Sequence, residues 1–307
     1  MRLHHVIEAQ QISPLMLGRL FSAADEMRSI VDREGGSDEL KRRVMATLFY
    51  EPSTRTRLSF ESAMQRLGGK VITTEAANVF SSAVKGERLK DTIRVVGEYA
   101  DVIVLRHTKE GAAAKAASVS PVPIINAGDG AGQHPTQMML DVYTIFKEIG
   151  HLGNLTIAMV GDLHNGRTVH SLCYMLAKYQ SPQLYFVSPR ELRMRKDIRA
   201  YLKRHGVPFE ECGDLCDIVG RVDVVYLTRV QRERMGTKGF PVDGKFRMDP
   251  SVLKRMAKHA IIMHPLPRVD EIRRRGRVDA DSRAAYFRQV RNGLCVRMAL
   301  LKMILAG

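Results

Sequence analysis

Ser53-Thr54-Arg55-Thr56-Arg57 places three hydroxyls and two guanidinium groups in five residues, directly after an apolar run and at the start of a helical pattern. A helix N-terminus offers unpaired backbone N–H groups and the positive end of the helix dipole. Ser53, Thr54 and Thr56 add hydroxyl donors, and Arg55 adds a planar fork suited to phosphate. The chemistry on offer is the binding of a phosphate-sized anion. The plainer reading is an N-capped surface helix with exposed arginines. A Walker-type loop is excluded, because the Gly-x-x-x-x-Gly-Lys frame is missing. Similar residues follow other apolar runs: Arg106-His107, then His134-Pro135-Thr136-Gln137 after Gly128-Asp129-Gly130, then Gly161-Asp162 and Arg167. Thr228-Arg229-Val230-Gln231 and His264-Pro265-Leu266-Pro267-Arg268 complete the set. These residue types suit small anions.

The runs at 44–50, 101–105, 122–126, 155–160, 183–187, 223–227 and 260–263 read as buried parallel strands. Helical patterns lie between them. Leu58, Ala63, Met64 and Leu67 share one face before Gly68-Gly69, and Met139, Val142, Tyr143 and Phe146 share another before Gly150. Val169, Leu172, Met175 and Leu176 follow the fourth run. This alternation predicts an α/β protein with two doubly wound parallel-sheet domains and helices on both faces. A boundary is expected near 148–154, giving domains 1–148 and 149–285, with the last helix, 286–307, packing back on the first. Ligands in such sheets bind at the carboxyl ends of the strands, where these cations and hydroxyls fall.

A chain of 307 residues with 45% hydrophobic and 26% charged content has the composition of a soluble protein of about two domains. No apolar run approaches the roughly 20 residues of a membrane span, so no membrane partner is expected. The start, Met1-Arg2-Leu3-His4-His5, lacks a signal-peptide pattern. Cys173, Cys212, Cys216 and Cys295 are scattered without a second pair at metal-ligand spacing, so no metal and free thiols in a reducing, cytoplasmic compartment are expected. The net charge of +15 fits nucleic acid or small anions. At 6% aromatics, with arginines placed singly at strand ends, small anions are favoured over nucleic acid. The run Arg273-Arg274-Arg275-Gly276-Arg277 reads as a solvated surface loop.

Phe49-Tyr50-Glu51-Pro52-Ser53-Thr54-Arg55-Thr56-Arg57-Leu58-Ser59-Phe60-Glu61 resembles the signature of the aspartate and ornithine carbamoyltransferase family. The resemblance extends through Ser81-Ser82-Ala83-Val84-Lys85-Gly86-Glu87, Val104-Leu105-Arg106-His107 and Asn126-Ala127-Gly128-Asp129-Gly130 to Gln133-His134-Pro135-Thr136-Gln137. It continues in Asn165-Gly166-Arg167-Thr168-Val169-His170-Ser171, Thr228–Arg234 and His264–Glu271. The family's ornithine enzymes resemble one another in a His-Cys-Leu-Pro segment, where this chain has Pro265. Arg167, Arg229 and Gln231 offer two cations and an amide, which suit two carboxylates. Both features point to the aspartate branch.

The resemblance implies transfer of a carbamoyl group from carbamoyl phosphate to the amino group of L-aspartate, an early step of pyrimidine biosynthesis, with no cofactor. Ser53, Thr54, Arg55 and Thr56 would hold the phosphate. Arg106, His134 and Thr56 would donate to the carbamoyl oxygen, and Gln137 would hold the carbamoyl nitrogen, helped by backbone carbonyls of the segment containing Pro265, Leu266 and Pro267. Arg167, Arg229 and Gln231 would clamp aspartate. Lys85, with Ser81 or Ser82, would reach in from a neighbouring subunit of a homotrimer with shared sites. Any regulatory chain would be a separate polypeptide, and a plastid location would follow if a transit peptide is removed. Segments 7–11, 184–189 and 286–305 resemble plant-type members that respond to a pyrimidine nucleotide. The resemblance also implies a tight turn at Leu266–Pro267, with a cis peptide as one form and an ordinary trans turn as the other.

Each role has a plainer rival. His134 before Pro135 could cap a helix, Lys85 could be a solvated lysine, and Met138-Met139 reads as core filler. Gly161-Asp162 hints weakly at a dinucleotide fold but lacks the Gly-x-Gly-x-x-Gly spacing. His107, His164 and His170 receive no catalytic role. An ornithine enzyme, a silent homologue and a nucleic-acid-binding protein are the competing readings. A silent homologue predicts a broken site, yet Arg55, Lys85, Arg106, His134, Arg167 and Arg229 are all present.

Overall fold

The computed structural model describes residues 4–77, 86–231 and 244–306. Ser81, Ser82 and Lys85 lie outside them, as do residues 232–243. The chain divides into two compact units, Met1–Leu140 with Arg291–Gly307, and Asp141–Val290.

The first unit opens with α1 (Pro14–Glu34), whose N-cap Ser13 accepts the N–H of Met16 at 3.2 Å and which stops at Gly35 in the left-handed region. There follow β1 (Val44–Phe49), α2 (Thr54–Arg66), β2 (Lys70–Glu75), α3 (Leu89–Gly97), β3 (Val102–His107), α4 (Ala112–Ala117), β4 (Ile124–Asp129) and the start of α5 (Pro135–Ile149). The strands form one parallel sheet in the order β2-β1-β3-β4. Ala46, Leu48, Ile103, Leu105 and Ile124 pack on one face with Ile93, Ala100 and Ala116. Their alternates Met45, Val102, Val104 and Ile125 are equally buried, as expected of strands covered on both sides. The segment from Arg291 returns to this unit. Lys302 Nζ lies 3.0 Å from Glu26 and Glu39, and the Arg297 guanidinium sits 5.1 Å from the centre of the Phe60 ring.

The second unit holds β5 (Thr156–Val160), α6 (Arg167–Leu176), β6 (Gln183–Val187), α7 (Lys196–Arg204), β7 (Phe209–Cys212), β8 (Val224–Leu227), α8 (Pro250–Arg255), β9 (Ile261–Met263), α9 (Arg275–Asp279) and the start of α10 (Tyr286–Leu305). Its sheet is also parallel, in the order β7-β6-β5-β8-β9. Ala158, Val160, Val187, Val225 and Leu227 form its core with Leu215, Val219, Val252 and Ile262. Beside that core lies a buried polar cluster. Asp141 accepts Tyr226 Oη–H at 2.7 Å and Gln289 Nε2–H at 2.6 Å, with all three side chains at or below 2% exposure.

The architecture is the expected pair of parallel-sheet α/β units with helices, and all seven expected strands form. Two strands were not foreseen, β2 and β7, and both are sheet edges. Lys70-Val-Ile-Thr-Thr-Glu and Phe209-Glu-Glu-Cys are polar and partly exposed, so neither shows the apolar run of a central strand. The basic run at 273–277 is exposed as expected, but its last three residues form the start of α9 rather than a loop, and Arg275 donates to the carbonyls of Arg268 (3.2 Å) and Val269.

The turn after β9 is tightly framed. The Leu266–Pro267 peptide is cis, the form admitted for the tight turn. His264 Nδ1 accepts the N–H of Leu266 at 2.7 Å, which leaves the proton on Nε2 to be donated to Glu271 Oε1, also at 2.7 Å. Glu271 further accepts the N–H groups of Val269 and Asp270, both at 2.9 Å. Burial pushes the Glu271 carboxyl up, but the hydrogen bond from His264 and those from the backbone N–H groups outweigh it and hold it down at about 2.

Removing the Tyr226 hydroxyl leaves Asp141 short of one donor in a site without water access. Tyr226→Phe is therefore expected to lower the unfolding free energy by about 2 kcal/mol; a loss below about 0.5 kcal/mol in urea titration would contradict the role given to the cluster. The Glu271 prediction concerns pH. Its folded pKa lies below its unfolded value, so its contribution is present in full above the usual 4.5 and fades as pH falls towards about 2. Glu271→Gln should cost roughly 3 kcal/mol at pH 7 and much less at pH 2. An equal cost at both pH values would refute the assignment.

Candidate active site

In the first unit the chain moves from β1 outward to β2 and then returns to place β3 on the other side of β1. A reversal of strand order opens a crevice at the carboxyl ends. Two of the expected anion-binding elements meet there. Phe49 of β1 pairs with Arg106 of β3, and the N–H of Tyr50 donates to the Arg106 carbonyl at 2.8 Å. Arg106 is thus fixed beside the strand that runs into Ser53–Thr56.

Ser53 occupies the N-cap position of α2 in extended backbone, but its hydroxyl makes no capping hydrogen bond. Ser13 of α1 and Asp249 of α8 both cap with their side chains. Ser53 is of a type that caps, yet like the N-cap residues of α3, α4, α6 and α7 it makes no side-chain cap, so the N-capped alternative does not hold for α2. Thr54 and Arg55 are exposed, Ser53 is half-buried and Thr56 is buried. Arg57 points to a different task. It lies 2.8 Å from Glu75 and 3.8 Å from Glu61, and Glu61 also accepts the Thr47 hydroxyl at 3.0 Å. Arg57 ties α2 to the edge of the sheet, while Ser53–Thr56 face its carboxyl end.

Arg106 donates to Glu51 Oε1 at 2.6 Å and more weakly to the Ala127 carbonyl at 3.5 Å. Its side chain is 12% exposed, so the Glu51 carboxylate offsets the cost of a nearly buried cation and sets its direction. Sequence reasoning gave Glu51 no role. The loop after β4 brings His134 and Gln137, both nearly buried, to the start of α5. Asp129 organises it: its carboxylate accepts the N–H groups of Gly111 (2.8 Å) and Gln133 (3.1 Å) and the Asn126 amide (3.2 Å). Gly130 adopts a φ of +52°, and a Cβ there would lie 2.7 Å from Glu110 N, so the loop closes only with glycine. The His134 ring lies 3.4 Å from Thr136 Oγ1.

The second sheet repeats the device. Strand order reverses between β5 and β8, and Asp162, Arg167, Arg229 and Gln231 lie at those two carboxyl ends. Gly161 sits at φ +111°, where a Cβ would be 2.2 Å from the Thr228 carbonyl oxygen; no other residue permits β5 and β8 to end so closely. Asp162 is fully buried. One of its carboxylate oxygens accepts the N–H of Asn165 at 2.9 Å, and the other accepts the N–H of Gln231 at 3.1 Å. The Gln231 amide in turn donates to the Asn165 carbonyl at 2.8 Å, and the N–H of Arg167 donates to the same carbonyl at 3.0 Å. Asp162 and Asn165 thereby gather Gln231 and the start of α6, with the buried Arg167, into one knot. The dinucleotide hint in Gly161-Asp162 is replaced by this bracing role. The His170 Nε2 lies 2.9 Å from the Leu163 carbonyl oxygen. Leu266 and Pro267 follow β9, the neighbour of β8.

Each unit therefore carries its own set: Ser53–Thr56, Arg106, His134 and Gln137 in the first, and Arg167, Arg229, Gln231 and the Leu266–Pro267 turn in the second. Lys85 lies outside the described residues, and no group of three metal-ligating side chains occurs among them. No described helix is long and apolar enough to cross a membrane.

Comparison with known proteins also finds two domains, with somewhat different bounds. The family model for the carbamoyl-P binding domain of aspartate/ornithine carbamoyltransferases matches residues 4–147, and that for the Asp/Orn binding domain matches residues 153–304. The chain is 56% identical to aspartate carbamoyltransferase 1, chloroplastic, of Pisum sativum, over 100% of its own length and 80% of the relative's. It is 50% identical to the aspartate carbamoyltransferase catalytic subunit of Methanopyrus kandleri, over 98% of this chain and 97% of the other. Among solved structures, the catalytic subunit of M. jannaschii aspartate transcarbamoylase superposes with a TM-score of 0.90 at 48% identity, covering 99% of this chain and 98% of that one. Aspartate transcarbamoylase of Trypanosoma cruzi, in complex with carbamoyl phosphate and aspartate, gives 0.90 at 38% identity, covering 99% and 96%. With both family models matched along nearly its whole length, the chain belongs to the aspartate/ornithine carbamoyltransferase family.

Proposed function

We propose that this protein transfers the carbamoyl group of carbamoyl phosphate to the α-amino group of L-aspartate, giving N-carbamoyl-L-aspartate and phosphate. The observation that carries the reading is the uncapped start of α2 beside Arg106 at the strand-order reversal of the first sheet. The N–H groups and side chains of Ser53, Thr54, Arg55 and Thr56 hold the phosphate. Arg106, His134 and Thr56 aim donors at the carbamoyl oxygen, where negative charge grows as the amine attacks carbon. Gln137 holds the carbamoyl nitrogen, with acceptor carbonyls from the turn at Pro265, Leu266 and Pro267. Arg167, Arg229 and Gln231 bind the two carboxylates of aspartate. The uncharged amine forms the C–N bond, the C–O bond to phosphate breaks, and the amine's proton leaves with phosphate or solvent. Positioning and electrostatics supply the rate, without a covalent enzyme intermediate.

Family membership admits ornithine as the acceptor. Pro265 and the two arginines of the second unit favour aspartate, as does identity to proteins named for aspartate. A homotrimer in which Lys85, with Ser81 or Ser82, serves a neighbouring subunit's site belongs to the same proposal, as does action in the cytoplasm or, as for the chloroplastic plant relatives, in a plastid.

Incubation with carbamoyl phosphate should yield ureido product with L-aspartate and none with L-ornithine; the reverse pattern would overturn the acceptor assignment. Arg106→Ala should lower kcat by about a hundredfold or more, the scale of a lost oxyanion donor. Near-normal turnover would remove that role. Mixing inactive Lys85→Ala and Arg55→Ala subunits should restore activity in hybrids, and verified hybrids without activity would contradict a shared site.

A further inference from the structure

We infer that Gln133 and Gln10 are positioning residues, and that they fix the loop presenting His134 and Gln137 by clamping it to the segment around residues 4–12. The inference rests on the reading of His134 and Gln137 as carbamoyl-binding residues. It concerns a pair that has no direct place in the chemistry.

Ahead of α1, the segment runs alongside β4 as a short parallel bridge, Val6 to Ile125. The N–H of Val6 donates to the Ile124 carbonyl and the N–H of Asn126 to the Val6 carbonyl, both at 2.8 Å. The Asn126 amide donates to the Ile7 carbonyl at 2.8 Å and to Asp129 at 3.2 Å, so one side chain bridges the segment and the loop. Gln133 then closes the far end. Its Oε1 accepts the N–H of Ala9 at 2.7 Å, and its Nε2 donates to Gln10 Oε1 at 2.8 Å. The backbone contact settles which end of the Gln133 amide is oxygen, because a backbone N–H can only donate.

Gln133 is also bound from inside the loop. Its N–H donates to Asp129 Oδ1 at 3.1 Å, and its carbonyl accepts the N–H of Asp129 at 3.3 Å. The next residue, His134, begins the hydrogen bonding of α5: its carbonyl accepts the N–H groups of Gln137 and Met138, both at 3.1 Å. A change in the set of Gln133 therefore passes directly to His134 and, one turn on, to Gln137. Ser53–Thr56 start from a different strand and do not share these bonds. The carbamoyl end of the substrate should respond to the clamp, and the phosphate end should not.

The test compares Gln133→Ala, Gln10→Ala and Gln133→Glu with the unaltered protein, using KM for carbamoyl phosphate, kcat, and the inhibition constant of inorganic phosphate. Gln133→Ala should raise KM for carbamoyl phosphate and lower kcat by about fivefold or more, the scale of one or two lost hydrogen bonds. Inhibition by phosphate should stay within about twofold of the unaltered protein. Gln10→Ala, on a half-exposed residue, should show a smaller effect in the same direction that is not additive with Gln133→Ala. Gln133→Glu keeps an acceptor for Ala9 and meets Gln10 if that amide turns over, so it should recover most of the loss. Unchanged KM and kcat in both alanine variants would overturn the inference. So would a parallel rise of KM and the phosphate constant, or failure of Gln133→Glu to recover more than Gln133→Ala. If the unaltered protein makes no ureido product, the functional reading itself fails, which is a separate result.

Discussion

The structure depends on where its two parallel sheets reverse their strand order. In each, the first strand of the set has a neighbour added on one side and later a neighbour on the other, β2 then β3 around β1, and β6 then β8 around β5. At these reversals adjacent loops leave in opposite directions, so backbone N–H groups and side chains can face a ligand rather than each other. The start of α2 exploits this most fully. Its Ser53 makes no side-chain cap, and its first turn starts where the dipole is positive.

Collecting cations at such points has an electrostatic cost, which the half-buried Glu51 carboxylate offsets at Arg106. Glu51 braces Arg106 in the first unit, and Asp162 braces the backbone of Gln231 and Asn165 in the second. In both cases the acid accepts hydrogen bonds on fixed oxygens. The His264–Glu271 pair does the same for a backbone turn, with two oxygens shared among an imidazole and two N–H groups. Rigid supports of this kind suit a reaction driven by positioning, because a displaced donor is weak where charge develops.

The sequence shows the residues that would meet a ligand more readily than those that hold them. Ser53–Thr56, Arg106, His134, Gln137, Arg167, Arg229 and Gln231 announce themselves as polar groups directly after apolar runs, and the buried strands announce themselves as those runs. Glu51 and Asp162 share the same positions but look like ordinary strand-end acids. Their function depends on which strand lies alongside, and strand order is a property of the whole sheet. The edge strands β2 and β7 were hidden because edges tolerate charge and need only one apolar face. The clamp between Gln10 and Gln133 spans 123 residues of sequence, and no local pattern signals it.

The central claim is that the open start of α2 is the phosphate site, and amide-resolved NMR titration with inorganic phosphate tests it most directly. The N–H resonances of Thr54, Arg55 and Thr56 should shift and saturate together, while those of Leu15 and Met16, in the side-chain-capped α1, should stay in place. Absence of a saturable shift at α2, or an equal response at both helices, would contradict the account.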